Sequence, residues 1–146
     1  MGRFRSRWPS RRSGRTVLVV DASVLVVALA DDGADGDHAR QRLRGEELAA
    51  PELVDLEVAS VLRKQLAMGA LGSRRARLCL ADLADLPIQR APHLPLLARC
   101  WELRENMTIY DAAYVALAEV LEVSLLTADT RMARAPGPTC SIDVLH

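Results

Sequence analysis

The chain has 146 residues, half of them apolar and about a quarter charged, which suffices for one domain with a hydrophobic core and is an ordinary globular composition. The net charge of zero conceals an asymmetry: residues 1–16 carry six Arg and no acid, leaving 13 basic and 19 acidic groups in 17–146, a net of −6. Such a body repels nucleic acid unless cations neutralise part of it. His38, His93 and His146 show no ligand spacing and Cys79, Cys100 and Cys140 no C-x-x-C pair, which argues against a zinc site and for reduced thiols in a cytoplasmic protein.

In chain order, the Arg-rich segment 1–15 reads as a mobile extension, with 16–146 as a single domain. The apolar run Val17–Ala30 mimics a targeting segment, but it is too short to span a bilayer and is interrupted by Asp21 and Ser23. It reads instead as a buried strand, Thr16–Val20, turning into a helix, Ala22–Ala30, that ends at Asp31-Asp32-Gly33. A short polar helix is expected over Asp37–Arg44, stopped by Gly45, then a weak strand at Leu48–Ala50. Pro51 or Glu52 opens a helix to about Met68, and Ser73 caps one from Arg74 to about Leu86. A strand at Ile88–Ala91 precedes a helix over Leu94–Asn106. Thr108 caps a helix from Ile109 to about Glu122, a strand follows at Val123–Thr127, Thr130–Ala135 forms one helical turn, and Cys140–Leu145 is the last strand.

Strands interleaved with helices imply a parallel sheet covered on both faces, whose ligands sit beyond the carboxyl ends of the strands. Asp21 directly follows the first strand, and Asp129 comes two residues after the strand ending at Thr127, so both carboxylates point to that edge. Glu57 interrupts a helix that is apolar almost all round, where an unpaired carboxylate is costly. Asp111 lies in the first turn of the Thr108 helix. A helix that feeds a strand is expected to start at the opposite edge, so Asp111 joins the others only if its helix starts higher or residues 106–111 climb across the face. Each acid also has an ordinary reading. Asp21 and Asp129 are placed to be N-caps, Asp111 completes a capping box with Thr108, and Glu57 is in reach of Arg63 or Lys64. If the four do meet, like charges about 4 Å apart repel by roughly 4 kcal/mol at an effective dielectric near 20, which demands a cation or protonation. Oxygen-only ligands favour Mg2+ or Mn2+, and the expected chemistry is hydrolysis of a phosphodiester by metal-activated water.

Four segments carry a family resemblance: Val19-Val20-Asp21-Ala22-Ser23, Leu56-Glu57-Val58-Ala59, Thr108 to Ala118, and Leu126-Thr127-Ala128-Asp129-Thr130-Arg131. In order and spacing the chain from Val17 onward resembles the PIN-domain ribonucleases, and within them the VapC-type toxins of bacterial toxin–antitoxin pairs. The resemblance implies a three-layer α/β fold, with a five-stranded parallel sheet in order 3-2-1-4-5 and helices on both faces. It implies that the Thr108 helix brings its first turn to the site. Asp21 and Asp111 would be the most direct metal ligands, with Glu57 and Asp129 completing the pocket. Ser23 and Thr127 would be hydroxyls that orient carboxylates or water, and Arg131 a candidate phosphate contact. An RNA substrate, a homodimer and a small VapB-like antitoxin whose tail occupies the acidic groove are implied as well, with no membrane association.

Two other acid-bearing folds fit less well. A phospho-accepting receiver domain needs a Lys after its last strand, whereas the single lysine here, Lys64, lies mid-helix; a haloacid-type phosphatase needs Asp-x-Asp where this chain has Asp21-Ala22-Ser23. The reading from a different class is a non-catalytic PIN-like module that binds antitoxin, RNA or an assembly partner without cutting anything.

Overall fold

A computed structural model describes residues 17–146; the expected mobile extension 1–15, and Thr16 of the expected first strand, lie outside the described residues. The elements are β1 (Val17–Val20), α1 (Ala22–Ala30), α2 (Ala34–Leu43), β2 (Glu47–Pro51), α3 (Val54–Ala67), α4 (Ser73–Asp85), β3 (Ile88–Ala91), a 3-10 turn (Leu94–Leu96), α5 (Leu97–Glu102), α6 (Ile109–Leu121), β4 (Leu125–Thr127), α7 (Thr130–Arg134) and β5 (Ile142–Val144). All strand pairs are parallel and the order is β3-β2-β1-β4-β5, the topology the family resemblance implied. From β1 the chain moves outward through β2 to β3 and then returns to place β4 on the other side of β1. With right-handed crossovers this reversal sends helices to opposite faces of the sheet. Accordingly α1, α3 and α4 pack on one another, whereas α6 packs on α5 and against β1, β2 and β4.

The core follows from the strands being covered on both faces. Every residue of β1 is buried, and β4 is buried throughout. In α6, Ala112 to Ala118 are all buried, so this helix is enclosed rather than half-exposed; its small Ala side chains let it lie close to the sheet. Cys79 and Cys100 are buried and Cys140 half-buried, all three as free thiols. Among the described residues no helix is long and apolar enough to cross a membrane.

Where boundaries differ from expectation, the cause is local. The strand pairing of β2 with β3 runs on through Pro51, and the Glu52 amide donates to the Ala91 carbonyl at 2.9 Å, so α3 opens only at Val54. Pro95 lacks an amide hydrogen, and the expected helix 94–106 opens as a 3-10 turn; it closes early, where the Leu103 amide is shared between the Arg99 and Cys100 carbonyls. Helix α6 leaves through Glu122 in the left-handed region (φ 56°), with the Val123 amide bonded back to Ala118, so β4 starts at Leu125 rather than Val123. The last strand likewise shrinks to Ile142–Val144.

Helix α2 begins three residues before the expected start, and its first turn holds Gly36. As a poor helix former it reads as a breaker, yet it is buried where α2 turns back on α1. A Cβ there would sit 1.8 Å from the Asp31 carbonyl oxygen. The same carbonyl and that of Ala28 each accept from Arg40 Nη1 at 2.9 Å, and Asp31 Oδ1 accepts from the Gly33 amide at 2.7 Å, which locks the α1–α2 corner. Helix propensity alone makes Gly36→Ala stabilising by about 1 kcal/mol, whereas the overlap with backbone makes it destabilising by about 1–3 kcal/mol. A urea titration of Gly36→Ala should therefore show a lowered midpoint; a raised one would mean the corner is looser than described.

Candidate active site

The parallel register pairs Val19 with Leu125 and Val20 with Leu126, and the Asp21 amide donates to the Leu126 carbonyl at 3.2 Å. Asp21 therefore leaves β1 beside Thr127, the last residue of β4, at the point where strand order reverses. This is where open parallel sheets place their ligands.

Asp21 is 5 % exposed and Thr127 is fully buried, the two buried polar or charged side chains outside the apolar core among the described residues. Asp21 Oδ1 accepts from Ser23 Oγ at 2.5 Å and from the Val24 amide at 3.3 Å; Oδ2 accepts from Thr127 Oγ1 at 2.5 Å. The hydroxyls are themselves fixed from behind. Ser23 Oγ accepts from the Ala128 amide and Thr127 Oγ1 from the Asp129 amide, each at 3.0 Å, so both hydroxyl hydrogens are free to donate to the carboxylate. Asp21 is thus the N-cap of α1 and, at the same time, an acceptor ringed by donors. The arrangement suits its ionised form. Against it, burial pushes the Asp21 carboxyl above its ordinary value; the Ser23, Thr127 and Val24 hydrogen bonds pull it back, and the charge of Asp111 pushes the same way as burial.

Asp129 caps α7, its Oδ1 accepting from the Arg131 amide at 2.9 Å. Arg131 folds back on it, with Nε and Nη2 each 3.3 Å from a carboxylate oxygen, and the hydrogen bonds from Arg131 hold the Asp129 carboxyl below its ordinary value. The guanidinium expected to await a phosphate is therefore engaged with Asp129.

Asp111 is half-buried in the first turn of α6, where its amide donates to Thr108 Oγ1 at 3.1 Å. The expectation that this helix starts at the edge opposite Asp21 is reversed. Only three residues separate Leu121, the end of α6, from Leu125, the start of β4, so α6 runs down as β4 runs up. Its amino end then lies at the carboxyl edge. Burial raises the Asp111 carboxyl, the charge of Asp129 adds to the shift, and Thr108 and Arg131 oppose it.

Glu57, one turn into α3, is bonded neither to Arg63 nor to Lys64. Its Oε1 accepts from the Tyr114 hydroxyl at 2.6 Å. Tyr114 is 1 % exposed in the enclosed helix α6, and a buried phenol needs such a partner. Burial raises the Glu57 carboxyl; the Tyr114 bond opposes this, and the charges of Asp111 and Asp21 reinforce it. Burial and Glu57 together hold the Tyr114 phenol far above its ordinary value, so it stays a donor.

Asp21, Glu57, Asp111 and Asp129 all line one open cavity of about 300 Å³, joined there by Ser23 and Tyr114. Ser60, Val61 and Lys64 complete its wall, one and two turns beyond Glu57 on the same face of α3. Tyr114 and Lys64 escaped the sequence reading as site residues. The hydroxyl within the otherwise apolar run Ala112–Ala118 and the i, i+7 spacing from Glu57 were the signals for them. Among the described residues no three acids are gathered into a ready-made cage for a metal ion. The donor chemistry nonetheless suits a hard cation. Magnesium binds directly through one or two carboxylates and keeps several waters, and a pocket whose buried carboxylates are driven toward protonation by burial and mutual repulsion gains from a positive charge.

The PIN domain family model matches residues 18–138. The chain is 44% identical over 129 residues to ribonuclease VapC1 of Mycobacterium tuberculosis, covering 88% of this chain and 97% of that protein. Among solved structures it is similar to PAE2754 of Pyrobaculum aerophilum, with a TM-score of 0.65, 26% identity, and 88% and 84% of the two chains covered. It also shares its fold with VapBC2 of Rickettsia felis, solved with a promoter DNA fragment, with a TM-score of 0.65, 12% identity, and 90% and 100% covered.

A carboxyl whose pKa rises on folding binds its proton more tightly in the native chain than in the unfolded one. Native stability then falls as pH climbs from the ordinary carboxylate value through the raised native one. Asp21, Glu57 and Asp111 all shift in this direction. In chelator, the urea midpoint should increase as pH is lowered from about 7 toward about 5, and Asp111→Asn should flatten that slope. A midpoint equally insensitive to pH in both proteins would contradict the electrostatic picture of the pocket.

Proposed function

Because the chain belongs to the PIN-domain family, and within it to the VapC group, we propose that it is a metal-dependent endoribonuclease acting as the toxin of a type II toxin–antitoxin pair. The observation that carries the reading is the meeting of Asp21, Glu57, Asp111 and Asp129 on one pocket at the switch point of the sheet. Asp21 and Asp111 would hold the Mg2+ or Mn2+ ion, and Glu57 and Asp129 would complete the acidic wall, directly or through water. When bound, the ion neutralises charge at the scissile phosphate and acidifies the attacking water.

The protein's own groups do the rest. Ser23 and Thr127 fix both oxygens of Asp21 and, through the Ala128 and Asp129 amides, tie that carboxylate to the loop that carries Asp129. Tyr114 fixes Glu57 as an acceptor. Arg131, at the mouth, is engaged with Asp129 and can reach a phosphate only by giving up that contact. A small VapB-like antitoxin holds the toxin silent in the cytoplasm by occupying the acidic groove, and the toxin is a homodimer.

The test uses purified, antitoxin-free protein and total bacterial RNA. Discrete cleavage should appear with Mg2+ or Mn2+, vanish in chelator, and fall at least about a hundredfold in Asp111→Asn, the scale of removing one preorganised charged group from a site. Ser23→Ala should weaken Mn2+ binding about ten- to a hundredfold, as loss of a ligand-orienting partner does. Cleavage that persists undiminished in chelator and in Asp111→Asn would rule out the carboxylate site. No cleavage by any form would favour the non-catalytic module.

A further inference from the structure

From Val58 to Ala81 the chain contains no acid, yet it holds five cations: Arg63, Lys64, Arg74, Arg75 and Arg77. This segment is the body of α3, the turn after it and most of α4. In a body of net charge −6, so clean a segregation creates a local positive field beside an acidic pocket.

Arg75 is committed to the fold, with Nη2 2.6 Å from Asp32 and 3.2 Å from the Leu29 carbonyl. The other four behave differently. Among the described residues Arg63, Lys64, Arg74 and Arg77 make no ion pair, although Arg40, Arg42, Arg75, Arg90, Arg99 and Arg131 all do. All four are exposed. Their placement is continuous. Lys64 lies on the wall of the acidic pocket. Its neighbour Arg63 turns to the other side of α3, into a shallow groove of about 210 Å³ that Arg77 of α4 also lines. Arg74 sits one turn before Arg77 on α4.

We propose that the α3–α4 hairpin is the RNA-backbone arm of the site. Lys64 takes a phosphate next to the scissile one, and Arg63, Arg77 and Arg74 take those that follow as the strand crosses α3. The inference rests on the ribonuclease reading above and adds where the substrate lies. It also answers the charge objection that the acidic body raises, because the polyanion approaches along a stretch next to the pocket that carries cations and no acid. It reassigns the phosphate-binding role from Arg131, which Asp129 holds, to Lys64, which no carboxylate holds. An acidic helix of a protein partner is the rival occupant of the groove, but it leaves Lys64 on the pocket wall without a role.

The test is binding of a fluorescein-labelled oligouridine to the Asp111→Asn protein, followed by anisotropy across a range of KCl concentrations. Each phosphate contact to a single strand contributes about 0.7 to the slope of log K against log salt. In that background the Arg63→Ala/Arg74→Ala/Arg77→Ala variant should lose about 2 from the slope and bind about tenfold or more weakly at low salt, and Lys64→Ala should lose about 0.7. Arg44→Ala, which removes an exposed cation elsewhere on the surface, should leave the slope unchanged. In the active protein the triple variant should raise KM for RNA. Unchanged affinity and slope in the triple variant, while the parent binds RNA and the active chain cuts it, would overturn the arm and leave the ribonuclease reading intact. If that variant instead loses its co-purified antitoxin, the hairpin is a protein-docking face. A parent that binds no RNA and an active chain that cuts none would overturn the ribonuclease reading together with the arm.

Discussion

The carboxylate of Asp21 is held between two strands that are adjacent in space and more than a hundred residues apart in sequence. Parallel pairing of β1 with β4 brings Thr127 alongside it, and the Thr127 and Ser23 hydroxyls each bridge it to a backbone amide of the β4–α7 loop. Each hydroxyl accepts from an amide on one side and donates to the carboxylate on the other, so each has one satisfying orientation. Asp21 cannot move without Asp129, because the amide of Asp129 belongs to the same chain of bonds. The pocket therefore inherits its shape from the sheet register. The helices then bring two further acids to a place already defined, Glu57 from the start of α3 and Asp111 from the start of α6.

This placement has an electrostatic cost that the fold does not relieve by itself. Three of the four carboxyls are raised by burial and by one another's charge, and only Asp129, at the rim and hydrogen-bonded by Arg131, is lowered. The hydrogen-bond donors around Asp21 favour the anion while the burial opposes it. A structural carboxylate in such a position would be matched by an arginine, as Asp55 is matched by Arg90, bidentate at 2.8 and 2.9 Å. At the pocket the acids face one another instead, and this uncompensated charge is what supports the proposed divalent cation. Under the proposed function, activity and instability sit in the same residues, a frequent property of sites that hold charge in place for chemistry.

The sheet topology was legible because β1 is a compact apolar run and because the motifs around Asp21, Glu57, Asp111 and Asp129 occur in a recognisable order. Asp21 and Asp129 could be placed from strand ends alone. Asp111 was placed by resemblance, since the expected helix direction was inverted and the capping pattern at Thr108 is also present in the structure. Local reasoning could not pair Glu57 with Tyr114, because that contact joins helices on different crossovers. Nor could it show that Arg131 turns back on Asp129 while Lys64 stays unpaired, as side-chain partners depend on tertiary distances that spacing along one helix does not encode. Boundaries differ where strand or helix hydrogen bonding runs past the expected limit, as at Pro51 in β2 and Gly36 in the first turn of α2.

A crystal of the antitoxin-free protein soaked in Mn2+, with data collected at an energy where manganese scatters anomalously, locates any metal bound by these carboxylates. The expected result is an anomalous peak within bonding distance of a carboxylate oxygen of Asp21 or Asp111 in the pocket shared with Glu57 and Asp129, lost in crystals of Asp111→Asn. A well-ordered pocket without a peak, or manganese bound only elsewhere on the surface, would contradict the assignment of these four carboxylates to a metal-dependent active site.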